Sequence, residues 1–440
     1  MQTILSLLIF VALAYWVWQI YFGKKKLRLV EYSKGEHYLL SQYMYFVIFT
    51  VCTGPLFLHG ISLLKYGLWF VTILVLLFVG KVRLKFESIT GMYAVFYLWL
   101  CYTMTYTTAT YDGFMLLIKY MIPILFLWLG YSGLRNEKDL IIFLQIVNIV
   151  VCVYCFFIGG QGCKLMPWLY YGPIGGQFLT YAGFADFLTS IFIVPIILYW
   201  LTKEKKYIYC ALWMVLSTVL ESVRTGMGGM LLVFCTALLL KNKAKAIPGL
   251  AVAGAMFLSV ILFVPEVNEK FFGEDAGTVS ASDIVQGDAM SMDNMNTNGR
   301  SAIWEMIMEE CYVGNEITGA GLGESMRFLK DWAKKTNGVP IMHNDYVQII
   351  SDTGIVGIIL IVLFYVVFLL KGIEYVVLKR SSPCVKMTGI MAVSSMAGIA
   401  FSMYFDNVVS HSMSSLVMPF IFLGFFLKCI DLDEAKQLSK

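Results

Sequence analysis

Charge is what this chain of 440 residues has least of. Asp, Glu, Lys and Arg together make up 14% of it, where a soluble domain carries about 25%. Hydrophobic residues make up 59%, and the mean hydropathy is +0.74. The shortage runs along the whole length. It excludes a soluble enzyme, a disordered chain and a nucleic-acid binder, and it leaves a polytopic membrane protein. Histidine is also scarce: His37, His59, His343 and His411 have no Cys/His cluster around them, so no zinc site is expected. There is no Gly-x-x-x-x-Gly-Lys-Ser/Thr loop and no His-Glu-x-x-His run. The Gly319-Ala320-Gly321-Leu322-Gly323 segment lacks dinucleotide-fingerprint spacing. No cofactor and no metal are expected.

What is present is long apolar runs. A membrane helix needs roughly 20 apolar residues to cross about 30 Å of hydrocarbon. Such runs fall near 3–22, 38–58, 61–80, 89–108, 114–131, 140–158, 182–202, 207–221, 226–240, 246–264, 346–370, 387–405 and 413–428. Two of them, 207–221 and 226–240, are short and form a tight hairpin. The expected fold is therefore all-α and polytopic, with about 12–13 transmembrane helices.

Basic residues set the orientation. Lys24–Lys26, Arg28 and Lys34 follow the first run, and Lys81, Arg83 and Lys85 the third. Arg135/Lys138, Lys203/Lys205/Lys206, Lys241/Lys243/Lys245, Lys371/Lys379/Arg380 and Lys428/Lys436 fall on later alternate loops. These loops read as cytoplasmic, with the N-terminus outside and the C-terminus inside. The first run reads as a retained span, because a basic stretch rather than a cleavage site follows it. Three regions result: an N-terminal transmembrane region 1–264 of about ten spans, one long outer loop 265–342, and a C-terminal transmembrane region 343–440 of about three spans.

The long loop carries thirteen acidic and six basic residues. Its segment 273–299 is polar and rich in Gly, Ser, Asp and Asn, whereas 300–342 has the apolar content of a folded piece. Loops beyond about 15 residues are usually functional or disordered. Charges within spans are costly and mark candidates. Here they are Lys65, Lys119, Asp186, Glu221 and Asp352, all in or near the outer half of their spans. A permeation path would spread polar groups across the midplane. The clustering points instead to one site at the outer leaflet, although Lys65 and Lys119 could simply snorkel.

Three residues stand out. Arg224 sits in the outer turn Glu221-Ser222-Val223-Arg224-Thr225-Gly226 and is the one outer Arg beyond the long loop. Arg300 opens an amphipathic helix with Ile303, Trp304, Ile307 and Met308 on one face, capped by Asn298 or Ser301. That puts a planar guanidinium at a helix N-terminus, where anions bind. His343 lies where the long loop re-enters the membrane, a place suited to a general base. Asn344, Gln348 and Asp352 follow as a polar stripe on one helix face, and Gly354 and Gly357 permit close packing. The bland alternatives are an interface anchor or salt bridge to Glu221 for Arg224, a solvated loop residue for Arg300 and a structural histidine for His343.

In order along the chain, Ser222–Gly226, Arg300–Trp304, Gly319–Gly323, His343–Tyr346 and Gly354–Gly357 together resemble the superfamily of O-antigen ligases and O-antigen or capsule polymerases. Val223 departs from the pattern by separating Ser222 from Arg224. The resemblance implies a GT-C-type helical fold whose long loop covers a cavity. It also implies a glycosyltransferase acting on an undecaprenyl-diphosphate-linked oligosaccharide at the outer face of a bacterial inner membrane. The acceptor would be another glycan unit (a polymerase, slightly favoured) or lipid A core (a ligase). A hydroxyl on a polypeptide is a further option. On this reading His343, Arg300 and Arg224 are catalytic, and Lys119, Asn344, Asp345, Trp304, Gly321 and Gly323 bind substrate. Membrane lipid and a chain-length regulator are the further partners, and transfer is inverting and metal-independent. The aromatic side chains Trp168, Tyr170, Tyr171 and Tyr181 would stack on sugars or anchor the interface. The rivals of other classes are a lipid-linked-sugar flippase and a non-catalytic scaffold.

Overall fold

The computed structural model describes residues 2–23, 25–33, 35–58, 60–79, 87–162, 181–272, 300–336 and 340–438. Lys24, Lys34, His59, Lys81, Arg83, Lys85, Trp168, Tyr170, Tyr171 and Asn298 lie outside the described residues, as does the polar segment 273–299.

Helices dominate. They are α1 (Gln2–Phe22), α2 (Gln42–Thr53), α3 (Ser62–Val79), α4 (Ser88–Thr103), α5 (Thr110–Gly133), α6 (Glu137–Gly162), α7 (Tyr181–Ile191), α8 (Ile193–Thr202) and α9 (Lys206–Leu220). There follow α10 (Arg224–Asn242), α11 (Ile247–Phe263), α12 (Pro265–Phe272), α13 (Arg300–Ile307), α14 (Glu324–Thr336), α15 (Asp345–Ile373), α16 (Pro383–Phe405) and α17 (Val417–Leu438). One small antiparallel hairpin, β1 (Leu29–Ser33) with β2 (Glu36–Leu39), turns at Gly35. It takes the first residues of the expected span 38–58, and α2 is correspondingly short.

Among the described residues, seven helical stretches are long and apolar enough to cross a membrane. Three shorter apolar helices accompany them: Gln42–Thr53, Ser62–Phe78 and Lys206–Leu220. The chain is an all-α polytopic membrane protein. The expected span 182–202 bends at Phe192 into α7 and α8. A 3-10 turn at Lys243–Ala246 separates α10 from α11.

Small residues let these helices cross closely. A Cβ on Gly130 of α5 would meet the Ile421 Cα of α17 at 3.1 Å, and one on Gly424 would run into the Leu127 carbonyl. Gly226 of α10 packs on α7, where a Cβ would lie 2.8 Å from that of Ala185.

One span is completed by backbone from elsewhere in the chain. The helix α15 is broken at Gly354, whose φ of 68° and ψ of −171° are non-helical. The freed amides of Ile355 and Val356 donate to the carbonyls of Glu316 (2.8 Å) and Ile317 (3.4 Å). The freed carbonyls of Ser351 and Asp352 accept from the amides of Ala320 and Gly321, each at 3.0 Å. Unsatisfied backbone in lipid costs several kcal/mol per group, so the loop segment stitches the break shut. The stripe read on α15 is buried: Asn344 is 1%, Gln348 5% and Asp352 0% exposed.

Asp352 also holds the start of α14, accepting from the Gly323 and Ser325 amides at 2.9 Å each. Glu324, in turn, caps α5: its Oε1 accepts from the amides of Thr108 (2.5 Å) and Ala109 (2.8 Å) and from the Thr108 hydroxyl (2.7 Å). Burial raises the Glu324 carboxyl, but these donors and Arg327 outweigh it and hold the group below the ordinary carboxylate range. Gly323, at a φ of 91°, presses on the backbone of Gly113. Gly323→Ala is therefore expected to destabilise the fold by more than about 2 kcal/mol, combining the left-handed penalty with a backbone clash. A lowered thermal midpoint in detergent would register it, and an unchanged midpoint would refute it.

Lys65 is fully buried and does not snorkel. Its Nζ donates to the carbonyls of Thr53 and Gly54 at 3.4 Å and to that of Leu56, closing the C-terminal end of α2. The rings of Tyr66 and Trp69 sit 4.7 and 4.9 Å from it.

Candidate functional site

The site is built around the end of α16. That helix stops at Phe405, and Asp406 follows in extended backbone. The last carbonyls of a helix lack intrahelical donors and carry the negative end of its dipole. Arg300 meets this end: its Nη1 donates to the Phe405 carbonyl at 2.7 Å. Arg300 is the first described residue of α13. Burial lowers its basicity, and the neighbouring Asp406 charge works the other way.

His343 meets the same end from the other side. Its Nδ1 lies 3.1 Å from Asp406 Oδ1, and its amide donates to Asn407 Oδ1 at 3.0 Å. The backbone there is left-handed, with a φ of 55°. Such a conformation costs of order 1–3 kcal/mol and clusters at functional sites. The imidazole keeps 27% of its surface exposed, against 7% for the Asp406 side chain. Burial raises the Asp406 carboxyl. The His343 bond, the Asn407 amide and the charges of His343 and Arg300 more than offset this, so it stays below the ordinary range.

Arg224 opens α10 behind Ser222, a second left-handed residue with a φ of 52°. Its guanidinium lies 5.6 Å from the Phe271 ring of α12. The adjacent Lys270 donates to the carbonyls of Glu221 (3.3 Å) and Ser222 (3.2 Å), bracing the turn. Arg224 and Arg300 lie within electrostatic range of each other. The structure thus brings His343 and Arg300 to one helix end, with Arg224 within electrostatic range of Arg300.

The other expected residues have different surroundings. Lys119 of α5 is half-buried, within electrostatic range of Asp345, Asp112 and Lys330. Asp345 is fully buried, and its Oδ2 accepts from the Val409 amide at 3.0 Å. Asn344, expected to bind substrate, accepts with its Oδ1 from the amides of Tyr346 and Val347 at 3.0 Å, capping α15. Gly321, with a φ of 113°, packs on Thr107, and Gly323 holds α14 to Asp352. Both, expected to bind substrate, are set in the scaffold. Trp304 donates to the Met342 carbonyl at 2.8 Å, and its ring meets Tyr404 edge-on at 5.9 Å. It ties α13 to the strand-like approach to His343. The apolar face of α13 packs on Leu329, Phe328 and Trp332 of α14, on Met342 and on Val347 of α15. Ser301 lies inside α13 rather than ahead of it.

Asp406, Asn407 and His411 were not picked out from the sequence. The available signal was a polar Asp-Asn pair directly after the apolar run 387–405. His411 packs against Gly183, where a Cβ would lie 3.3 Å from the ring. Burial lowers its basicity, and Asp406 works against this. Asp186 is fully buried within electrostatic range of Asp406 and Asp345.

Residues 209–362 match the family model described as O-antigen ligase. The match runs from α9 past the break in α15 and takes in Arg224, Arg300 and His343, while Asp406 lies beyond it. No curated protein matches the chain.

Proposed function

From a chain that resembles the O-antigen ligase superfamily through residues 209–362, we propose a membrane glycosyltransferase that takes its sugar donor from a polyprenyl diphosphate. The family match supports a role of this kind in polysaccharide processing. The site end of the bundle faces the exterior of the inner membrane. The acceptor is another lipid-linked glycan unit, which makes the protein a polysaccharide polymerase.

One observation carries the reading: His343 is held on Asp406 at 3.1 Å while Arg300 is bonded to the carbonyl of the preceding residue. With its proton on Nδ1 and facing Asp406, the imidazole offers Nε2 to an acceptor hydroxyl. The acceptor oxygen attacks the anomeric carbon as its proton passes to Nε2. The carbon–oxygen bond to the diphosphate breaks, its electron pair leaves with the phosphate, and the anomeric centre inverts. Arg224 and Arg300 receive the charge that develops on the departing diphosphate. Two half-buried like charges within electrostatic range of each other favour an anion nearby. The scheme asks for no metal, because the guanidiniums supply the positive charge.

A glycan gel tests it. In a deletion strain complemented at matched membrane levels, wild type should restore long glycan, and His343→Ala and Arg300→Ala should not. A single repeat unit on lipid A core would mark a polymerase. Bare core with polymer retained on the carrier would mark a ligase. Full restoration by both variants would sink the transferase reading and favour transport.

A further inference from the structure

At the end of the bundle opposite the candidate site, the ends of α8 and α10 bring two lysines together. Lys203 caps α8 in a left-handed conformation, its amide donating to the Tyr199 carbonyl at 2.8 Å. Lys241, in the last turn of α10, is half-buried with its Nζ 3.6 Å from the centre of the Trp200 ring. The two ammonium groups lie within electrostatic range of each other. The neighbouring acid, Glu204, is taken by Lys206 at 2.5 Å. Lys205, Lys243 and Lys245 add exposed positive charge at the same end.

An apolar groove runs between the same helices, from Ile196 and Ile208 toward Val219 and Met227. Ala211, Leu212, Met230 and Ala253 line it between, so that α8, α9, α10 and α11 all contribute. Its volume is about 320 Å³, within the roughly 300–1,000 Å³ of ligand sites. Leu212 and Met256 on its walls are exposed, so the groove opens sideways toward lipid.

We propose that this end of the protein holds an anionic phospholipid, its phosphate on Lys203 and Lys241 and an acyl chain in the groove. A topological preference for basic loops would be met by lysines pointing into water. It does not call for one lysine half-buried over an indole within electrostatic range of a second lysine, on the helices that line an apolar groove. A phosphate between the two ammonium groups relieves their repulsion, and Trp200 sits at the depth where aromatic rings meet headgroups.

The test uses the full chain in detergent, titrated with dioleoyl phosphatidylglycerol, dioleoyl phosphatidylcholine or a polyprenyl phosphate and read by native mass spectrometry. Phosphatidylglycerol should bind at least tenfold more tightly than phosphatidylcholine, and salt should weaken it. Lys203→Gln with Lys241→Gln should weaken it by about 30-fold, from roughly 1 kcal/mol per lysine near anionic lipid. Ala253→Phe, which fills the groove and keeps the lysines, should also weaken it. Equal binding of the two phospholipids would overturn the proposal, as would an unchanged affinity in the lysine variant. So would an Ala253→Phe effect confined to polyprenyl phosphate, which would give the groove to the carrier chain. Should the lysine variant not fold, the lipid comparison, the salt series and Ala253→Phe still decide it.

Discussion

His343→Ala is expected to lower the transfer rate by about 10²–10⁴-fold, the usual effect of removing a general base, with the donor still bound. The imidazole makes its side-chain bond to Asp406 and keeps part of its surface exposed, so its removal leaves no large cavity. Its backbone, however, is left-handed, and Ala pays for that conformation more heavily than Asn does. His343→Asn therefore separates the two effects. Asn tolerates the conformation and keeps the amide bond to Asn407, yet offers no basic nitrogen. Single-turnover transfer should be lost in both variants, with a near-native thermal midpoint in His343→Asn. An active Asn variant would show that position 343 supplies shape rather than basicity.

Arg300→Ala should cost about 10²–10³-fold in rate, the range for one donor aimed at developing charge. Its bond to the Phe405 carbonyl fixes the guanidinium where it can reach two ways at once, toward the helix end and toward an anion. Arg300→Lys should recover only part of the loss, because an ammonium lacks the planar fork that serves both partners. The measurement is the rate at saturating donor together with donor affinity. A variant with weakened binding and an unchanged saturated rate would place Arg300 in ground-state binding alone, and the claim about departing charge would fall.

How much of this was legible in the sequence depends on the reach of each interaction. Apolar runs and helix starts are local, and they located most helices together with Arg224, Arg300 and His343. What the sequence hid was long-range. Asp406 belongs to the site only because α16 ends beside the start of α15, some sixty residues earlier in the chain. Lys65 looked able to reach water, but the open carbonyls at the end of α2 lie nearer. Gly354 read as a packing residue. In the fold it is a break, because the hydrogen bonds that permit one come from residues 316–321. The surroundings of Gly321 and Gly323 were hidden for the same reason: Thr107 lies in the turn before α5, Gly113 in α5 and Asp352 in α15.

The stitched break in α15 also bears on how the protein is made. Residues 316–321 are synthesised before Gly354, so the carbonyls and amides that will close the break exist before the helix that needs them. If the loop were held back while α15 entered the lipid, four backbone groups would be stranded in hydrocarbon. Delivery of the loop to the far side thus becomes a condition for seating the helix.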